Sequence, residues 1–136
     1  MSNFIKFVAQ VDSYIPDLFV KENNILMVTI KDVYFNQGSE LKCRKTQDWN
    51  DYSMGNFEYI VSQIKKISPD EWIDLSVTTA ENKRRRVFVR KDSFVGLDSH
   101  NGYYKLMVEH NGLGLDYDFR GLTLKGAREL VEKFND

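Results

Sequence analysis

Four consecutive cations, Lys83-Arg84-Arg85-Arg86, stand just ahead of Phe88, Arg90 and Lys91. In an extended strand alternate side chains share a face. Arg84, Arg86, Phe88 and Arg90 then line up on one side, opposite Arg85, Val87 and Val89. Guanidinium groups beside an aromatic ring suit single-stranded nucleic acid, since the cations hold phosphates while the ring stacks on a base. The same face suits an acidic protein partner. The plainest alternative is an edge strand kept soluble by its charge. Arg84, Arg86, Phe88, Arg90 and Lys91 are therefore the candidate binding residues, and the stacking version of that binding requires Phe88 to be exposed.

A second group could act on protons or a hard cation. His100 and His110 are the two histidines, and Asp98, Glu109, Asp116 and Asp118 lie near them in sequence. Brought together, His100, His110, Asp116 and Asp118 would be weak candidates for a metal or acid–base site, as in a small metal-dependent hydrolase. Their spacing matches no established ligand pattern, and solvated strand ends beside turns explain them as well. Cys43 is flanked by Lys42, Arg44 and Lys45, which could lower its pKa, but no base is positioned to make it a nucleophile.

The usual enzyme signatures do not occur. There is no G-x-x-x-x-G-K-S/T loop, G-x-G-x-x-G, G-x-S-x-G, H-E-x-x-H or C-x-x-C. No cofactor is implied. The 19 Lys and Arg against 20 Asp and Glu leave a formal charge of −1, so no global field attracts nucleic acid or anionic lipid. The lone Cys43 precludes an intrachain disulfide and fits a reducing, cytoplasmic setting. The apolar run over 25–30 is too short to span a bilayer, so no membrane association is expected. Aromatics at 13% suit β-structure and adhesive interfaces. Scarce alanine, at positions 9, 80 and 127 only, fits an AT-rich bacterial or phage genome.

These residues must be positioned by strands. Alternation predicts strands over 4–12, 18–21, 41–45, 71–79, 84–90, 93–99, 103–110 and 113–119, with 25–35 as one long strand buried on both faces. Residues 46–55 read as a polar loop. Asn101-Gly102 and Asn111-Gly112 carry type I′ turn signals. Phe57, Ile60, Val61, Ile64 and Ile67 form one helical stripe, ended by Ser68-Pro69. Thr123 can cap a second helix that carries Ala127, Leu130, Val131 and Phe134.

Residues 18–28 echo 87–97 at an offset of 69, and the two helical stripes match at an offset of 70. The expected fold is α+β, with antiparallel sheets and two helices in one domain over 1–136. A tandem ββ(β)α pseudo-repeat with halves 1–68 and 69–136 would place 18–28 over 87–97. Within the second half, the strand 92–99, the pair Tyr103-Tyr104 and the run 120–124 leading into a helix resemble the LytTR family of DNA-binding domains over about a third of the chain. The basic element that follows the helix in that family has no counterpart here, so the resemblance implies no function.

Together these patterns point to a small non-enzymatic bacterial or phage regulator or inhibitor that binds another protein. The alternative is a nucleic-acid-binding module that uses the basic strand 83–91. A metal-dependent hydrolase is the remote third reading.

Overall fold

The computed structural model describes residues 3–7, 18–45, 55–80 and 83–135. β1 (Phe4–Phe7) and β2 (Leu18–Lys21) pair with each other. A 3-10 turn at Glu22–Asn24 leads into β3 (Ile25–Thr29), β4 (Asp32–Gln37) and β5 (Glu40–Lys45), and α1 (Gly55–Ile67) follows. β6 (Trp72–Thr78) and β7 (Arg84–Arg90) come next, then a 3-10 turn at Lys91–Ser93. β8 (Phe94–His100), β9 (Tyr103–His110), β10 (Leu113–Leu122) and α2 (Leu124–Asn135) complete the order. All pairings are antiparallel, in sheets ordered β5-β4-β3-β7-β6, β10-β9-β8 and β1-β2. The fold is α+β, as the alternating and helical patterns implied.

The five-stranded sheet lies between two apolar layers. On one face Val28, Val33, Trp72 and Phe88 pack with Phe57, Ile60, Val61 and Ile64 of α1, and with Ile5, Phe7 and Val20 of the β1–β2 pair. On the other, Met27, Leu75, Val77, Val87 and Val89 pack with Leu106 and Val108 of β9, Phe119 and Leu122 of β10, and Leu130 of α2. The helical stripes therefore face the core as their period required. Val131 and Phe134 are only half-buried, with Phe134 stacked on Phe94 at 4.2 Å between centroids. α2 lies unusually close to β6. A Cβ on Gly126 would sit 2.8 Å from the Thr78 carbonyl oxygen, so glycine is what permits the approach.

Two expectations change. Residues 25–35 are not one strand but the hairpin β3–β4. The Thr29 hydroxyl accepts hydrogen bonds from the amides of Lys31 (3.2 Å) and Asp32 (2.9 Å), and this side-chain turn competes with continued extension. β7 is not an edge strand, because β3 and β6 flank it on both sides. Of the strand expected over 4–12, 4–7 is seen; 8–17 lies outside the described residues, as does most of the loop expected over 46–55. The two Asn-Gly turns form as their residues imply, with positive φ at Asn101, Gly102, Asn111 and Gly112.

The echo has a local counterpart. Both segments fold as strand, 3-10 turn, strand, and the entering residues match closely: Lys21 at φ −62, ψ 135 and Arg90 at φ −65, ψ 134. Each half also runs through two strands, the turn, three strands and a helix. Their surroundings differ. β7 is paired on both sides, whereas β2 among the described residues pairs only with β1.

Candidate binding cleft

The predicted basic face exists, but its Phe88 and Arg90 point inward. Arg84, Arg86, Phe88 and Arg90 do alternate on one side of β7, and α1 covers much of that side. Phe88 is 1% exposed, stacked on Trp72 at 5.0 Å between centroids. An exposed stacking platform is thus ruled out. The physical reason is that β7 is central, and its aromatic residue is part of the packed core beneath α1.

Arg90 is also buried. Its Nε donates to the Ile25 carbonyl oxygen at 2.7 Å, and Nη2 donates to the Glu22 carbonyl oxygen and to Glu22 Oε1 (3.2 Å). The same Glu22 oxygen accepts from Ser68 Oγ (2.5 Å) and Trp72 Nε1 (2.8 Å). Burial alone would raise the Glu22 pKa. The Ser68 and Trp72 hydrogen bonds, with Arg90, outweigh it and hold the carboxyl below its ordinary value. This cluster ties the first 3-10 turn to the end of α1 and to β7.

Arg86 is committed as well. It makes a bidentate pair with Asp74, with Nε to Oδ1 at 3.1 Å and Nη2 to Oδ2 at 2.7 Å, and it also pairs with Glu58. These partners push its pKa up, hydrogen bonding by Asp74 foremost, and its guanidinium lies over the Phe57 ring. Arg84 is exposed and lies along β6, bonded to Thr78 Oγ1 (2.8 Å) and to the Ser76 carbonyl oxygen (3.0 Å). Lys91 is exposed on the second 3-10 turn. The five candidates thus divide into a buried strut, a paired bridge, a core ring and two surface cations.

Among the described residues the candidate metal residues Asp116, Asp118 and His110 do not converge. Asp116 and Asp118 sit on the exposed side of β10, opposite Met107 and Lys105. His110 stands at the other end of that pairing, opposite Leu113, with Nε2 2.6 Å from the Asn23 carbonyl oxygen. The Asp118 carboxylate accepts the Arg120 amide at 2.8 Å. The backbone of His100 ends β8. Among the described residues no group of three or more His, Cys, Asp or Glu is placed to hold a metal ion. Cys43 lies in β5. Although the residue is exposed, desolvation of its thiol and the Asp32 carboxylate push the pKa up, despite the cations beside it in sequence.

A different place gathers charge. A cleft of about 880 Å³ opens between one end of the five-stranded sheet and β10. Its lining includes Lys31, Lys45, Lys83, Arg85, Arg86 and Arg120 against Asp32, Asp116 and Asp118, with Tyr34, Tyr117 and Phe119 as its aromatic part. Besides Arg86, which is paired on the other face of β7, five cations and three carboxylates line it, and the volume lies in the range of small-ligand sites. Tyr34 meets Tyr117 edge-on at 6.4 Å, and Tyr117 meets Phe119 likewise at 5.0 Å.

Two cations of the cleft differ from those on the other face. Arg85 Nε is buried and has no hydrogen-bond partner among the described residues. A buried donor left unsatisfied costs about 1–3 kcal/mol. Arg120 adopts φ 60, in the left-handed region that few non-glycine residues occupy, and Gly121 continues at φ 108. The irregularity in the β9–β10 pairing falls between Asp118 and Leu122, so the kink carries Arg120 at its centre. Both guanidinium groups act on the Tyr117 hydroxyl. Burial pushes that hydroxyl up to about 12 and Asp32 adds to the rise, while Arg85 and Arg120 oppose it. Burial likewise pushes up the Asp32 carboxyl, against Lys45, a Cys43 hydrogen bond and Lys31.

Sequence reasoning passed over Arg85 because it alternates with the face that drew attention. Its signal was an arginine in line with Val87 and Val89. Arg120 had only the Arg-Gly pair as a cue, and its proximity to Arg85 depends on the fold.

Comparison with known proteins finds no matching family model, no matching curated protein and no matching solved structure. The texture shared with LytTR domains therefore gains no support from them. Among the described residues no helix is long and apolar enough to cross a membrane.

Proposed function

We propose that this chain is a small cytoplasmic regulator or inhibitor that acts by binding, and that it seats an acidic segment of a protein partner in the cleft between the five-stranded sheet and β10. One observation carries the reading. Among the described residues Arg85 holds a buried donor without an acceptor, in a cleft that Arg120, which makes no ion pair there, also lines. An acidic side chain brought by a partner would supply the acceptor and relieve the desolvation of the guanidinium. The absence of familiar catalytic motifs and the single cysteine agree with a binding role in a reducing compartment.

Nucleic acid is the second reading, favoured only by the surface cations Arg84 and Lys91. The two separate in one experiment. Poly-L-glutamate and single-stranded oligothymidylate are titrated by fluorescence anisotropy against the wild type, Arg85→Gln and the double variant Arg84→Ala with Lys91→Ala. Binding of polyglutamate that weakens in Arg85→Gln supports the protein-partner reading. Preferential binding of the oligonucleotide that weakens only in the double variant replaces it with the nucleic-acid reading.

A further inference from the structure

We propose that the floor of the cleft is a phosphate-monoester site, in which Arg85 and Arg120 hold the phosphoryl oxygens and Tyr117 donates a hydrogen bond. This inference rests on the binding reading above and names the acid that the cleft is built to take.

The cleft already contains carboxylates, and they leave these arginines unpaired. Asp32, Asp116 and Asp118 all line it. Among the described residues neither Arg85 nor Arg120 forms an ion pair, whereas Arg86 and Arg90 on the other face each engage two carboxylates. The Asp118 side chain instead accepts the Arg120 backbone amide, which helps to fix the kink. A second carboxylate from outside would supply one charge and two oxygens. A phosphate monoester supplies about −1.5 to −2 charges and three acceptor oxygens. Three oxygens can serve two guanidinium groups and a hydroxyl together.

The kink agrees with this. A left-handed backbone at an arginine is disfavoured by roughly 1–2 kcal/mol, and glycine would hold the same turn without that cost. The position keeps a long cationic side chain where the backbone gains nothing from it. Strain of this kind concentrates at binding sites. Tyr117 remains a donor, since its hydroxyl pKa is pushed up to about 12. Tyr34 and Leu115, both partly exposed, give the ester's organic part an apolar wall.

The test uses the full chain and follows amide NMR shifts while phenyl phosphate, benzoate, inorganic phosphate and poly-L-glutamate are added in separate titrations. Phenyl phosphate is expected to saturate, and benzoate to bind about tenfold more weakly, because it offers fewer charge-assisted hydrogen bonds. Arg85→Gln should weaken phenyl phosphate by about tenfold or more. Arg120→Gly should also weaken it while leaving the thermal midpoint at or above that of the wild type. This second variant keeps the test valid if Arg85→Gln folds poorly.

Benzoate binding as tightly as phenyl phosphate overturns the phosphate assignment, and retained polyglutamate binding then leaves the acidic-partner reading standing. Loss of all four interactions overturns both. Phenyl phosphate binding unchanged in both variants places the anion elsewhere and overturns the site. Inorganic phosphate binding as tightly as its phenyl ester overturns the ester and leaves a free-phosphate site. With the ester upheld, a phosphoserine peptide and adenosine monophosphate distinguish its source. Tighter peptide binding assigns it to a protein partner, and tighter nucleotide binding to a small ligand.

Discussion

The two faces of β7 use arginine in opposite ways. Under α1, Arg86 and Arg90 are matched to carboxylates: Arg86 to Asp74 and Glu58, Arg90 to Glu22 and Glu71. Toward the cleft, Arg85 keeps a buried donor without an acceptor, and Arg120 reaches the same region from a strained kink. The first pair finishes its interactions inside the chain and belongs to stability. The second pair does not, and belongs to something that comes from outside. A run of cations in sequence therefore says little until the partners of each are known.

The sharpest way to break this contrast is to remove Arg90. Arg90→Ala leaves Glu22 buried without its cation and should lower unfolding free energy by about 3–5 kcal/mol, read by urea denaturation. Loss of well under half that amount would mean the cluster is not a strut. The α1 layer itself should respond nearly as strongly. Ile64 is fully buried, and Ile64→Ala should cost about 2–4 kcal/mol from lost transfer energy and the cavity left behind.

Acid should weaken the same layer. Glu22 has its pKa held below the ordinary value of 4.5, so the folded state binds fewer protons than the unfolded state as pH falls past that value. Its contribution is fully present above the unfolded pKa and is lost as pH drops through the folded one. Glu22→Gln should be less stable than the wild type at neutral pH and show a flatter decline in acid. Parallel declines in the two proteins would remove Glu22 as the cause.

Smaller effects sharpen the other side. Arg86 is a quarter exposed, and its partners are more so, so Arg86→Ala should cost about 1 kcal/mol. Arg85→Gln should change stability by less than about 0.5 kcal/mol, because it breaks no ion pair or Nε hydrogen bond among the described residues and keeps a polar group on Cδ. Arg120→Gly should be neutral or gain about 0.5 kcal/mol, the relief of left-handed strain less the entropy of glycine. Stability losses at Arg85 or Arg120 comparable to that at Arg90 would erase the distinction between the faces.

Much of the fold was legible because local signals agreed with tertiary ones. The stripe from Phe57 to Ile67 could bury only one face, and the two Asn-Gly pairs admit few turns other than those seen. The hairpin at Thr29 to Asp32 was hidden because its turn is made by a hydroxyl between apolar residues, without glycine or proline. The site was less legible. Alternation correctly grouped Arg84, Arg86, Phe88 and Arg90, but which side of a strand faces a helix depends on pairing with β3, some 60 residues away in sequence. Arg85 and Arg120 are 35 positions apart, and only the packing of β10 across the sheet brings both to one cleft.

The most direct test of the account is to map where an acidic ligand lands. Poly-L-glutamate titrated into the labelled full chain, followed by amide NMR shifts, is predicted to perturb residues 30–34, Arg85 and residues 115–120, with little change at Arg84 or Lys91. Perturbation centred on Arg84 and Lys91, with the cleft residues unmoved, would contradict it.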